Sequence, residues 1–498
     1  MESFRSPIIL GSVGLYMALC VVIGVWAMRR THSAKDFFMA GRRLGVLVTG
    51  VAIFSSTMSG FGFVGGPGLV YSLGMSSIWI VATVAVSYAA ADFLLGKRLR
   101  LMAGLFDSVS LPDVVAIRYG SESVRLLTAV AIVLGILGYL ATQTLAMATV
   151  LQSILSGTRL FPEIGLVACV VVSSSVLVFY CVTGGILASV YTDMFQGIVM
   201  VIAGALVFVT ALFAFDGGAS AAVGAILQDD LEAAGPFGTL GMIGCLSWFF
   251  MFSIGAAGQP QILTKGMMIE RPQDYRYVPL LSVGGYVVTA LLWIGIGLVM
   301  RALVLEGVHP ELATADAAAP AFLQRYAHPL LAGVVFAGLF AAIMSTADGF
   351  LNIGAAALVH DIPKALVGRS LTRELLWARV ATVVLAIVAA LFALYSHYEN
   401  ARLVALLGAF GWGTFGAALV PAVAIGLNWK RATPLAAGAA IVSSLIVNFG
   451  IELFDIRLPH NIHGGTLSLL VSTMLFMSIS FASRPPSLDP DVEAVMDI

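Results

Sequence analysis

The stretch Ser55-Ser56-Thr57-Met58-Ser59-Gly60-Phe61-Gly62-Phe63-Val64-Gly65-Gly66-Pro67-Gly68 lies within a long apolar run. Hydroxyls, glycines and a proline gathered there predict a helix that breaks part-way along its length. Composition identifies the medium around it. Of 498 residues, 59% are hydrophobic and 11% charged, against about 25% charged in ordinary soluble domains. That excludes a water-soluble enzyme, a disordered chain and a coiled coil. With 26 Lys and Arg against 27 Asp and Glu, there is no basic face for nucleic acid. Cys20, Cys169, Cys181 and Cys245 sit in apolar runs without CxxC or His spacing, so neither a disulfide framework nor a metal site is expected. No N-x-S/T sequon is present, which favours a bacterial protein.

A membrane-spanning helix needs about 20 predominantly apolar residues. Thirteen such segments fall near 7–28, 44–73, 76–96, 124–156, 163–183, 186–215, 238–262, 278–304, 329–359, 374–396, 401–428, 433–453 and 464–483. The first has only Arg5 ahead of it, is too long for a signal-peptide core and lacks an A-x-A cleavage site, so it reads as a retained helix. With the N-terminus outside, nineteen Lys and Arg fall in inside loops, Lys265 among them, and six fall outside. The positive-inside rule therefore predicts an odd number of crossings, with the C-terminus inside. Residues 484–498 form a short cytoplasmic tail, with no soluble signalling domain expected. Asp92, close to Lys97 at a membrane edge, reads as interfacial.

A second break is expected at Gly255-Ala256-Ala257-Gly258-Gln259-Pro260 in the seventh segment, since proline removes a backbone donor and crowds the preceding turn. Small residues also serve close helix contacts, the plainer reading of either stretch alone. The two broken segments are five apart, an odd offset, so they cross in opposite directions, as in an inverted repeat. The expected organisation is a single all-α membrane domain, 1–483. It comprises an extra helix at 7–28, a first five-helix repeat at 44–215, a second at 238–428 and two closing helices at 433–483.

Asp36-Phe37-Phe38-Met39-Ala40-Gly41-Arg42, Ser56-Thr57-Met58-Ser59-Gly60, Leu111-Pro112-Asp113, Thr183-Gly184-Gly185 with Tyr191-Thr192-Asp193, Gly258-Gln259-Pro260, Met344-Ser345-Thr346-Ala347-Asp348 and the run Gly413 to Pro421 follow one another in order. Together they resemble the sodium:solute symporter family over nearly the whole chain. The resemblance implies a LeuT-type fold and symport of a small organic solute, such as proline, another amino acid or a carboxylate, with Na⁺ as coupling ion. It implies no organic cofactor, and as partners only the solute, Na⁺ and the lipid bilayer of a bacterial inner membrane. Coupling to protons, carriage of pantothenate or a sugar, and a solute sensor on the same fold stay open. A channel or respiratory subunit would need a continuous polar pore or paired His and Lys residues, which the spans lack.

Ala342, Ser345 and Thr346 stand at i, i+3 and i+4, on one helix face. By the resemblance, the sodium ligands are the carbonyls of Ser55, Met58 and Ala342 and the hydroxyls of Ser345 and Thr346. The hydroxyls bonding back to their own helix is the alternative. Asp193 and Asp348 are carboxylates within apolar spans, where a charge costs at least about 2.5 kcal/mol. By the resemblance Asp193 serves ion release, and the pair is a second cation site, a shared proton site or a structural feature. The implied solute site is lined by Thr57, Ser59, Gly60, Phe61, Tyr139, Gln143, Phe252, Ala256 and Gln259, with Trp412 placed to close it. Thr57 departs from proline carriers, which have aspartate there. Phe252 and Ala256 depart likewise, from tryptophan and tyrosine.

Overall fold

A chain this apolar has to meet its backbone hydrogen bonds internally, and helices do so within a single segment. The computed structural model describes residues 2–156, 163–400 and 404–498, and for a few others, Phe61 among them, the backbone alone. The described residues are helical apart from turns, loops and one isolated bridge between Leu44 and Ile269. In chain order the main helices are α1 (Glu2–Met28), α2 (Val46–Ser55), α3 (Gly66–Leu73), α4 (Ile78–Ala91), α5 (Lys97–Leu105), α6 (Leu111–Tyr119), α7 (Glu122–Leu155) and α8 (Leu166–Leu212). They continue as α9 (Gly241–Gly255), α10 (Pro260–Gly266), α11 (Val278–Leu305), α12 (Pro329–Ala356), α13 (Glu374–Asn400), α14 (Val404–Leu419), α15 (Pro434–Leu453), α16 (Gly464–Ala482) and α17 (Pro490–Met496).

Helices lie where the apolar runs lie, although the start of the segment expected at 401–428 falls outside the described residues. Among the described residues, eleven stretches are long and apolar enough to cross a bilayer. Two hold more than forty residues, over twice the about 20 that one crossing needs. Gly62–Leu105 holds 44 residues and Leu166–Leu212 holds 47. The longer one turns at Gly185, whose φ of 57° and ψ of −147° occupy a region essentially reserved for glycine. A Cβ there would also lie 2.5 Å from the Phe37 ring.

α12 is the centre of the fold. In the stretch Pro329–Val367, 83% of the most apolar window is buried, against 22% in Glu374–Tyr398 and 28% in Pro7–Met28. α12 packs on α1, α7 and α8, and its middle meets α2 and α10. Its lower end is fastened to α6. Ser110 caps that helix by accepting from Asp113 N. The Asp113 carboxylate accepts from Val109 N at 3.0 Å and Lys364 Nζ at 2.9 Å, pairs with Arg125, and lies 3.0 Å from His360 Nε2. Burial alone would raise the Asp113 carboxyl, but His360 and Lys364 hold it well below the ordinary range.

Two sequence readings need revision, and the tail gains a structure the sequence did not show. Asp92 is not interfacial: it is buried and accepts from Tyr275 OH at 3.1 Å and Ser282 Oγ at 3.4 Å. Its residue number beside Lys97 said nothing of which way the helix turns it. Lys265 is not in a loop; it lies on α10, 1% exposed on its side chain. The tail carries α17, whose Val492, Val495 and Met496 are buried, with the helix packed on α5.

Gly185→Ala is expected to destabilise the protein by about 1–3 kcal/mol. A thermal unfolding curve of the detergent-solubilised variant should shift several degrees down. An unchanged curve would show that the turn tolerates a side chain.

Candidate functional site

The break expected after Ser55 is present. α2 ends at Ser55, residues 56–59 leave helical geometry, and a π-turn at Phe61–Gly65 leads into α3. Non-helical backbone frees carbonyls and N–H groups, which must be met from elsewhere. Ser345 Oγ donates to Ser55 O at 2.9 Å, and Thr346 Oγ1 donates to Ser56 O at 2.8 Å. Both hydroxyls also reach back to Ala342 O, at 3.0 and 3.3 Å. The two readings of Ser345 and Thr346 thus hold together: the hydroxyls contact their own helix and span the gap to the broken one. Ser55 Oγ is buried with no hydrogen-bond partner among the described residues. Met58 is fully buried on the same turn, its N–H on Phe54 O at 3.1 Å. Ser56, whose carbonyl takes the second bond, was not singled out from sequence as an ion ligand.

On the other side of the break, Gly60 N donates to Gln143 Oε1 at 2.8 Å. That bond fixes the amide orientation, leaving Nε2 a donor without a partner among the described residues. A Cβ on Gly60 would lie 2.8 Å from Ala146 Cβ, so close approach to α7 requires glycine here. Ser59 Oγ lies 3.2 Å from Tyr139 OH, while Thr57 Oγ1 turns back to Ile53 O at 2.8 Å. The Phe61 side chain lies outside the described residues.

The second break has the same construction. α9 gives way to a tight turn at Ala256–Gly258, Gln259 is extended, and Pro260 opens α10 where its missing N–H costs nothing. Gln259 Nε2 donates to Gly255 O at 3.0 Å and to Trp412 O at 3.2 Å, tying the break to α14. Phe252 and Trp412 face each other with ring centroids 5.5 Å apart, and Ala256 is fully buried. Trp412 Nε1 is a second buried donor without a partner among the described residues.

Asp193 and Asp348 are both fully buried and come together. Asp348 accepts from Tyr180 OH at 2.8 Å and Ser189 Oγ at 2.7 Å; the same hydroxyl lies 3.4 Å from Asp193 Oδ2. The third member is Lys265, whose Nζ lies 2.5 Å from Asp193 Oδ2 and also donates to Ser56 Oγ. One ammonium therefore joins the first break, the second break and α8. Its position five residues after Pro260, within one short helix of the second break, was the available signal.

These features define a multi-pass helical membrane protein with two helix breaks facing a polar, buried centre. Residues 37–446 match the sodium:solute symporter family, and the chain belongs to it. It is a transporter, not an enzyme, and its class is sodium-coupled solute symport. The high-affinity proline transporter PutP of Bacillus subtilis (strain 168) is 29% identical over 475 residues, 92% of this chain and 95% of that protein. A sodium/proline symporter of Staphylococcus aureus (strain JH9) is 28% identical over 87% of this chain and 84% of its own. The fold is similar to that of a Na⁺-coupled sialic acid symporter in a substrate-bound outward-open state, with TM-score 0.78 at 20% identity over 97% and 99% of the two chains. A nucleobase-cation-symport-1 family transporter in a closed conformation gives TM-score 0.57 at 15% identity over 93% and 98%.

Lys265→Met leaves Asp193 buried without its counter-charge and is expected to cost about 3–5 kcal/mol. Adding Asp193→Asn should recover most of that loss. Unfolding curves of the two single variants and the double variant measure the coupling, and additive losses would dissolve the pair.

Proposed function

We propose that the chain imports a small carboxylate-bearing solute, an amino acid such as proline or a short organic anion, with Na⁺ across a bacterial inner membrane. The observation that carries this is the pair of hydroxyls, Ser345 and Thr346, placed on the Ser55 and Ser56 carbonyls across the first break. Na⁺ binds several oxygens without full charge. When it arrives, the hydroxyl protons turn aside and the same oxygens face the ion. The ligands are the carbonyls of Ser55, Met58 and Ala342 and the hydroxyls of Ser345 and Thr346, with Ser56 O alongside. The unpartnered Ser55 hydroxyl supports a polar guest there.

The solute sits between the breaks, against Thr57, Ser59, Gly60, Phe61, Tyr139, Gln143, Phe252, Ala256 and Gln259, with Trp412 closing over it. Two unused donors, Gln143 Nε2 and Trp412 Nε1, favour a solute that accepts hydrogen bonds, as a carboxylate does. The names of the proline-carrying relatives support the amino-acid arm. Thr57, its hydroxyl spent on Ile53 O, brings no charge for an amine, and this favours the organic-anion arm.

The topology we infer has thirteen crossings with the N-terminus outside and residues 484–498 in the cytoplasm. Each of the two over-long stretches then takes part in two crossings, and α2 completes the first crossing of Gly62–Leu105, to which α3 belongs. Repeats at 44–215 and 238–428 run in opposite directions, with 7–28 and 433–483 outside them. Taking Lys265 out of the inside loops leaves the charge bias strongly inward. Toward the cytoplasm, the Lys265 ammonium pairs with Asp193, Asp348 lies beside that pair through the Ser189 hydroxyl, and Asp193 Oδ1 accepts no bond among the described residues. Two carboxylates against one lysine leave room for a single passing cation. Sodium leaving the site is the reading that fits the family; a proton is the second, and a pH gradient distinguishes them.

In proteoliposomes, the wild-type chain should accumulate one carboxylate-bearing solute from a panel of proline, other amino acids, short carboxylates, pantothenate and sugars, with an inward Na⁺ gradient and not with K⁺. The double variant Ser345→Ala/Thr346→Ala should insert normally and lose Na⁺ stimulation. Full stimulation in that variant would overturn the ion site. Uptake driven by a pH gradient alone would move the coupling to Asp193 and Asp348.

A further inference from the structure

On the outer side of the second break, away from Phe252, Ala256 and Gln259, runs a groove of about 770 Å³ between α4, α9, α16 and the π-turn that follows α14. Its walls include Ala90, Phe250, Ile254, Ala257, Leu470 and Thr473, and Phe250 and Leu470 are half exposed. In a bilayer such a surface faces acyl chains rather than water. Leu94 and Asn428 line the end of this groove and also a second cavity of about 690 Å³. The second cavity has a different chemistry. Lys97, Arg98 and Arg276 stand on its wall. Arg98 donates to Leu94 O at 2.9 Å and Met496 O at 3.3 Å, and its buried Nε has no partner among the described residues. The one acidic side chain lining that cavity, Asp92, is turned into Tyr275 and Ser282.

An apolar channel that opens into a cationic pocket at its end has the shape and charge of a phospholipid. We propose that this continuous pair of cavities is a binding site for an anionic glycerophospholipid. One acyl chain lies in the groove and the phosphate lies against Lys97, Arg98 and Arg276. Three cationic side chains against one inward-turned acid favour a headgroup whose phosphate charge no ammonium cancels, and so select phosphatidylglycerol over phosphatidylcholine. In the topology inferred above, these residues lie on the cytoplasmic side, where anionic lipid meets positive loops.

The placement links lipid to transport. Ser253, Ile254 and Ala257 line the groove, and Phe252, Ala256 and Gln259 on the same short segment face the buried centre. A chain in the groove supports the outer side of a backbone that has left helical geometry. Losing that support lets the break shift.

Native mass spectrometry of the full-length protein, with phosphatidylglycerol and phosphatidylcholine titrated in parallel, tests the proposal. Wild type should retain one phosphatidylglycerol with at least about tenfold preference. Lys97→Gln/Arg98→Gln/Arg276→Gln should reduce the preference to that of phosphatidylcholine. Ala90→Trp, which fills the groove at an exposed position, should weaken both lipids equally. Glycerol phosphate, the headgroup chemistry without tails, should not displace the bound lipid. Equal retention of the two lipids by wild type, a triple variant that keeps its preference, or displacement by glycerol phosphate would each overturn the proposal. The wild-type competition needs no variant to fold.

Discussion

Inside a bilayer, backbone that stops being helical loses its hydrogen bonds with no water to replace them. This chain does so twice, at residues 56–59 and 256–259, and the surrounding side chains answer each gap. Ser345 and Thr346 meet the carbonyls that α2 leaves open, and Gln143 meets the N–H of Gly60. Gln259 folds back onto Gly255 O while holding Trp412 O. These partners come from α7, α12 and α14, so the breaks hold the helix bundle together as much as the bundle holds the breaks. The same groups are the ion ligands and solute donors proposed above. Coupling then has a physical route, because an ion that orders residues 55–58 also orders Ser59 and Gly60 on the solute side, and the effect is reciprocal.

Charge is placed with the same economy. Lys265 lies where α10, α8 and the first break meet, and its ammonium bonds Asp193 and Ser56. A buried pair of this kind gains little stability relative to an apolar one, and its main consequence is that breaking it is costly. In the topology proposed above, that makes a latch across the cytoplasmic side of both broken helices. Any cation leaving past Asp193 competes with the lysine for the same carboxylate. At the end of α12, Asp113 gathers Lys364, Arg125 and His360 and fixes the helix that carries the proposed ion ligands.

Much of this was legible in the residues. The apolar runs located the helices, because a bilayer allows almost no other reading of twenty apolar residues. Both breaks showed as glycine, hydroxyl and proline clusters, and i, i+3, i+4 spacing put Ala342, Ser345 and Thr346 on one face. The misreadings share a cause. Lys265 and Asp92 were sorted by their nearness to a span end, which says how deep a residue sits but not which way it points. Whether a charge near a helix end faces water or a partner is decided by tertiary packing, such as Tyr275 over Asp92. The resemblance supplied the proposed solute-lining positions, and the geometry adds which of their donors have no partner among the described residues: Nε2 of Gln143 and Nε1 of Trp412.

The central claim is that sodium is bound by the broken backbone itself. Hydrogen–deuterium exchange of the purified protein, compared between Na⁺ and K⁺ without added solute, reads that backbone directly. Peptides covering Ser55 to Gly60 should exchange more slowly in Na⁺, with the segment around Ser345 following, while α15 and α16 remain unchanged. Equal exchange in the two ions across Ser55 to Gly60 would contradict the account.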